Sequence, residues 1–460
     1  MSNEKINVGK EPVYDARKLG YGKMGILGFQ HMFAMFGATV TVPLLTGLNV
    51  QTTLLMAGLG TLLFHLLTKF KVPAFLGSSF AFLGGYAAIA PLLPDANGKN
   101  TIPNVEMLPY ACLGVVFAGL LYLVLALVMK LVGVSKVMKL FPPVVTGPII
   151  IAIGLGLAPS AINNCNTCWP LAIVALCIVI AFNIWGKGMA KIIPILIGVI
   201  GAYIVALLLG NLAHLSFITP VNTESIAKAA WIGLPIHWEG TVFGGVDFTD
   251  AAKITTTLTT MIPIAIATMM EHIGDICAIS STVGKDYIND PGLHRTLIGD
   301  GLATSLSSLF GGPANTTYGE NTGVLALSRV YDPRVVRIAA YLAILFSFCP
   351  KFAAVINAMP SGIVGGISFV LYGMIASVGI RNMVEARVDF TKSRNVIVAA
   401  IILVCALGIS LSKVGSISFD VAGVTISLSG LAIASVVGII LNALFPDKDK
   451  VQSISVNTEE

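Results

Sequence analysis

Apolar stretches about as long as a bilayer is thick recur along the whole chain, and they leave few folds open to it. A helix needs ~20 mostly apolar residues to cross the hydrocarbon core, where any backbone group left without a partner is costly. Such stretches fall near residues 24–47, 51–68, 73–91, 107–129, 140–158, 168–185, 192–210, 254–276, 296–310, 313–328, 335–350, 360–380, 395–412 and 422–445. They predict an all-α polytopic membrane protein with about fourteen transmembrane segments. Composition agrees: 55% hydrophobic residues, 11% charged residues and a mean hydropathy of +0.87 lie outside the soluble range.

Basic residues test the count, because loops on the cytoplasmic side hold an excess of Lys and Arg. With the N-terminus inside, 23 of the 28 basic residues fall in inner segments, leaving Lys99, Lys228, Lys253, Lys351 and Lys413 outside. A miscounted helix in the middle would invert everything after it, so the pattern predicts an even number of crossings with both termini cytoplasmic. Residues 1–23 and 446–460 then form inner tails, and the first of these lacks the apolar core of a cleavable signal peptide. The net charge of +5 reflects this topology and not a nucleic-acid partner, since no interleaving of basic and aromatic residues appears. Cys165 and Cys168 make the sole CxxC, in a short outer loop; zinc would need further ligands, and no metal site is expected.

Within this greasy background the run Gly311-Gly312-Pro313-Ala314-Asn315-Thr316-Thr317-Tyr318-Gly319-Glu320-Asn321-Thr322-Gly323 is polar and glycine-rich. It cannot face lipid, so it must line a protein-buried or watery cavity, as the broken helices of transporters do. Gly77-Ser78-Ser79-Phe80-Ala81 in the third segment echoes Asn315-Thr316-Thr317-Tyr318-Gly319 in the tenth. Pro142-Pro143-Val144-Val145-Thr146-Gly147 and Pro360-Ser361-Gly362-Ile363-Val364-Gly365 repeat the same step, from the fifth segment to the twelfth. An odd step of seven segments predicts two inverted seven-segment repeats. Segments 3 and 10 should each be broken, a short strand leading into a half-helix, because Ser, Thr and aromatic runs favour extended chain and Pro73 and Pro313 oppose helix just before them.

Ionisable residues inside the membrane are functional hypotheses by default. Those far from the expected segment ends are His31, Glu271, Asp275 and Glu320, with His272 beside them. Glu271 and Asp275 are four apart and share a helix face, Asp275 nearer the inner end. His272 diverges by ~100° and reads as packing. At Glu320, burial favours the neutral carboxyl and a helix N-terminus the charged one, and the sequence leaves the balance open. Trp231 and Trp238 read as interfacial anchors.

The run Glu320-Asn321-Thr322-Gly323-Val324-Leu325-Ala326-Leu327-Ser328-Arg329 resembles the signature of the nucleobase–ascorbate transporter family, also called nucleobase:cation symporter family 2. Gln30-His31 in the first segment, Gly77-Ser78-Ser79-Phe80, Glu271-His272-Ile273-Gly274-Asp275 and Asp290-Pro291-Gly292-Leu293-His294-Arg295 extend the resemblance over nearly the whole chain, toward its bacterial uracil carriers. The resemblance implies a core of segments 1–4 and 8–11 (residues 24–133 and 254–350) and a gate of segments 5–7 and 12–14 (residues 134–210 and 355–445). It implies uracil between segments 3 and 10, with Glu271 and Glu320 accepting its ring N–H groups. The backbone N–H groups of Phe80 and Gly319 would serve its carbonyls, and Tyr318 and Tyr372 would flank the pocket. Proton coupling would fall to Glu271, Glu320, Asp275 and His31. Two departures stand out: Ser328 replaces a commoner Thr, and Asp275 stands where some bacterial relatives have His.

The expectation is therefore a proton-coupled uracil symporter of the bacterial inner membrane, in contact with lipid, with protons as coupling ion and no cofactor. A homodimer through the gate is implied by the same resemblance. The alternatives are a purine or other pyrimidine permease and, against the repulsion of two carboxylates, an anion transporter of like architecture. An enzyme would need a nucleophile–base pair or a metal set, and neither is visible.

Overall fold

The computed structural model describes residues 8–94, 100–187, 189–421 and 424–445, and in these the chain is mostly helical. Residues 1–7 of the expected N-terminal tail and all of the expected C-terminal tail, 446–460, lie outside the described residues. The principal helices are α1 (Tyr21–Thr46), α2 (Val50–Leu67), α3 (Leu83–Ile89), α4 (Leu108–Val132), α5 (Pro143–Gly156), α6 (Trp169–Trp185) and α7 (Pro194–Val205). They continue with α8 (Ile264–Val283), α9 (Leu293–Leu309), α10 (Gly319–Ser328), α11 (Pro333–Ser347), α12 (Ser361–Glu385), α13 (Ser393–Leu403) and α14 (Gly430–Leu444). Among the described residues eight helical stretches are long and apolar enough to cross a membrane; a ninth joins them if α11 and Pro350–Asn357, bent by 89°, count as one span.

Local chemistry sets the breaks between helices. Gly47, at φ 83°, closes α1 with its N–H on Pro43 O, a left-handed conformation that a side chain would resist. Asn49 then caps α2, its Oδ1 accepting from the N–H groups of Gln51 and Thr52 at 2.8 and 3.1 Å. Asp332 caps α11 in the same way, accepting from Arg334 N–H at 2.9 Å.

Two strands interrupt the helices where the sequence predicts, β1 (Leu76–Ser78) before α3 and β2 (Asn315–Thr317) before α10. They pair antiparallel, Gly77 opposite Thr316, so the two echoing runs meet each other. The ladder continues at both ends: Ser79 N–H donates to Ala314 O at 2.8 Å and Tyr318 N–H to Phe75 O at 3.0 Å. A two-stranded ribbon still has unpaired outer edges, a liability in an apolar interior. Thr61 of α2 engages both backbone groups of Leu76, accepting from its N–H at 2.9 Å and donating to its carbonyl at 3.2 Å. Thr304 of α9 does the same for Asn315, at 3.2 and 2.9 Å.

The fold is not all-α. Besides β1 and β2, Leu93–Pro94 pairs with Asn100–Ile102, and Ser416–Val421 pairs with Val424–Ser429. The second hairpin corrects the expected last segment: Val424–Ser429 is a strand, and the helix starts at Gly430. Alternating hydroxyl and apolar residues, period two, outweigh mean hydropathy there.

Helices α1, α2, α4, α9 and α11 pack through one another around the strand pair, and α5, α6, α7, α12, α13 and α14 pack among themselves. α8 touches both groups, lying against α4, α9 and α10 on one side and α5, α12 and α14 on the other.

Candidate substrate site

The β1–β2 pair is built around one tyrosine. Tyr318, just before α10, is 3% exposed and inserts under β1: its hydroxyl donates to Ser78 O at 3.1 Å and accepts from Thr39 Oγ1 at 3.2 Å. Gly77 makes room for it, since a Cβ there would stand 2.5 Å from the ring. Ser78 Oγ in turn donates to Thr39 O at 3.0 Å, tying β1 to α1. The expected pocket-flanking residue is thus a strut whose polar end is already committed.

Beyond the ladder both half-helices open without a side-chain cap, which leaves first-turn N–H groups for another acceptor and a local positive potential. Phe80 stands at the first turn toward α3 and Gly319 is the first residue of α10. A Cβ on Gly319 would meet Val378 of α12 at 3.6 Å, so the start of α10 faces the other helix group. Phe80 meets Tyr372 of α12 edge to face, centroids 5.7 Å apart at 78°, and this buried contact also joins the two groups.

Three carboxylates gather beside these half-helices. Asp275 is 7% exposed, with Oδ2 accepting from Thr317 Oγ1 of β2 at 2.7 Å. α8 runs on to Val283, two turns beyond Asp275, so this carboxylate lies within the bundle and not at the helix end. Glu271, one turn earlier, is half-buried and its Oε2 has no hydrogen-bond partner. Glu320, in the first turn of α10, is also half-buried, and α10 packs against α8, the helix that carries Glu271 and Asp275. Acceptor-rich carboxylates beside free backbone donors suit a neutral, planar ligand that presents N–H and C=O groups in turn.

His31 is fully buried and held by α10: Asn321 Nδ2 lies 3.0 Å from its carbonyl and 3.1 Å from its Nδ1. Among the described residues no hydrogen bond or ion pair links it to the carboxylates, so it stands apart from the other expected proton-handling groups. His272, read as packing, has its Nδ1 3.1 Å from Asp300 Oδ2, both side chains fully buried. The sequence reading passed over Asp300, although an acid four residues inside an apolar stretch was its signal. Thr39, Thr61 and Thr304 carry no such signal, their hydroxyls being too common to stand out, and Thr317 and Asn321, although inside the recognised runs, give no sign there of their partners Asp275 and His31. Cys165 and Cys168 are free, buried thiols.

The permease family matches residues 22–415 of the chain. The chain is 40% identical over 449 residues to the uracil permease of Bacillus caldolyticus, covering 95% of this chain and 96% of that one. It is 38% identical over 469 residues to the uracil permease of Bacillus subtilis strain 168, covering 98% of each. Among solved structures, the transmembrane domain of the cyanobacterial bicarbonate transporter BicA aligns with 85% of this chain and 97% of its own, at a TM-score of 0.56 and 16% identity. That likeness is one of fold. Matched over most of its length and at this level of identity, the chain belongs to the nucleobase–ascorbate transporter branch of the permease family.

Proposed function

We propose that this multi-pass membrane protein is a carrier that takes uracil together with protons across the bacterial inner membrane, core moving against gate. The observation that carries the reading is the meeting of two broken segments in one antiparallel strand pair, which sets Glu320 and two further carboxylates beside two uncapped half-helix starts. Uracil has two ring N–H donors and two carbonyls; Glu271 and Glu320 take the donors, and the N–H groups of Phe80 and Gly319 serve the carbonyls. Tyr372 closes the pocket from the gate and Tyr318 braces it from below. The names of the two Bacillus relatives support uracil as substrate.

Fourteen segments in two inverted repeats complete the reading, supported by the matching pairs Thr61–Leu76 and Thr304–Asn315, which place a threonine of the preceding helix on each broken strand. The core comprises residues 24–133 and 254–350 and the gate residues 134–210 and 355–445, with both termini cytoplasmic, lipid around the whole and a homodimer formed through the gate. Protons are the coupling ion: protonation at Glu271, Glu320 or Asp275, with His31 in reserve, and substrate binding together neutralise the core before it crosses the low-dielectric gate.

Equilibrium binding of labelled uracil to the purified full chain, with xanthine and sulfate as competitors, tests the site. Uracil should bind and both competitors fail, and Glu271→Ala and Glu320→Ala should each abolish binding. Retained affinity in both variants, or displacement by xanthine alone, would replace this assignment with a purine permease.

A further inference from the structure

A second cavity, of about 670 Å³, lies away from the strand pair, on the face that carries the N-terminal segment. Four parts of the chain wall it: Tyr14 before α1, Phe70 and Lys71 after α2, Lys285 to Tyr287 after α8, and Tyr331 to Arg337 around the start of α11. The walls are fastened to one another. Tyr14 OH donates to Val283 O at 2.9 Å, Val13 bridges to Val330, and Tyr14 packs on Tyr331 with centroids 5.5 Å apart.

Charge in this cavity is unevenly matched. Lys71 pairs with Asp290, and Arg334 pairs with Asp332 and Asp15. Asp286 is taken up by the N–H groups of Ile288 and Asn289 and by the Asn289 amide. Two cations remain, and each lies over an aromatic ring: Lys285 Nζ is 4.5 Å from the Tyr14 centroid and the Arg337 guanidinium 4.9 Å from that of Phe70. Neither has a carboxylate partner among the described residues, and the buried Nη1 of Arg337 has no hydrogen-bond partner. A buried guanidinium N–H left unpaired is costly, and its planar fork matches a phosphate.

We propose that this cavity binds a phosphate-bearing aromatic metabolite, a nucleoside monophosphate in class. Arg337 and Lys285 hold the phosphate, and Tyr14, which is 45% exposed, and Tyr331 offer aromatic surface to the base. Asp286, exposed at the rim, has lone pairs left for sugar hydroxyls. An anionic lipid headgroup shares the phosphate but leaves the aromatic wall unused. The inference does not depend on what binds beside α10.

The test is titration calorimetry on the full chain in nanodiscs of zwitterionic lipid, with uridine monophosphate, uridine and inorganic phosphate as probes and labelled uracil uptake as the check on folding. The monophosphate should bind saturably without being displaced by uracil, inorganic phosphate more weakly and uridine not at all. Lys285→Gln with Arg337→Gln should weaken that binding by at least about tenfold and leave uptake without nucleotide unchanged. If the double variant fails to fold, Lys285→Gln alone, at an exposed position, should still weaken it. Absence of monophosphate binding, full displacement by uracil, undiminished binding to a folded variant, or loss of monophosphate binding in a parallel titration in nanodiscs doped with phosphatidylglycerol would each overturn the proposal.

Discussion

Asp275 and Thr317 show how much one hydrogen bond can decide in this interior. The carboxylate is buried, and the Thr317 hydroxyl 2.7 Å away is the donor that fastens α8 to β2. Thr317→Val keeps the shape and removes the donor, so it should cost about 1–3 kcal/mol, read as a lower melting temperature in detergent, with Thr317→Ser close to the parent. Equal melting of Thr317→Val and the parent would mean that the contact is incidental. Asn321→Leu should likewise release His31, since one amide holds both its carbonyl and its ring nitrogen. These residues also mark the limit of what the sequence discloses. Glu271, Asp275 and Glu320 stand out because charges in apolar segments are rare, whereas Thr317, Thr61 and Thr304 gain meaning only once distant segments are packed together.

At the scale of elements, the strand pair is the feature most legible beforehand, because proline, glycine and hydroxyl residues in an apolar run rule out a continuous helix. Its pairing was not legible: the echo between 77–81 and 315–319 gave likeness, not contact. Gly77→Ala should separate the strands by forcing the Tyr318 ring out, with loss of uracil binding but normal membrane insertion; unaltered binding would show that the ring relocates without consequence. The last hairpin was misread as helix because hydropathy averages over a window while strand periodicity lives in alternate residues. On the opposite side of the chain, the N-terminal segment docks through Asp15, whose carboxyl is held down from 3.8 to about 2, first by its hydrogen bond with Arg17 and then by Coulombic attraction to Arg17 and Arg334. A depressed carboxylate contributes fully above its ordinary value and loses that contribution as pH falls through the lowered one. Hydrogen exchange at residues 13–19, corrected for intrinsic rate, should therefore stay constant from about pH 8 to about pH 5 and rise progressively as pH falls from 3.8 toward about 2. Loss of protection already near pH 5 would assign the docking to another group.

For the whole molecule, the multi-pass membrane character is legible in hydropathy, and the family in its motifs. The grouping of the helices is not, because helices of either group have the same composition. What the packing adds is where the two helix groups meet, with α1 lying against α7 and α12. α8 lies against both helix groups, and the Phe80–Tyr372 contact spans them beside the carboxylates. If core moves against gate, that contact must break and reform with each cycle. Tyr372→Ala should then lower uracil affinity and, because the ring is buried, also lower the melting temperature by the equivalent of about 3–5 kcal/mol, whereas Tyr372→Phe keeps the ring contact and should stay close to the parent in both. The central claim joins substrate to proton. Its most direct measurement is uptake of labelled uracil into proteoliposomes with and without an imposed inward proton gradient. The account predicts accumulation above the external concentration with the gradient and equilibration without it; uptake indifferent to the gradient would contradict it.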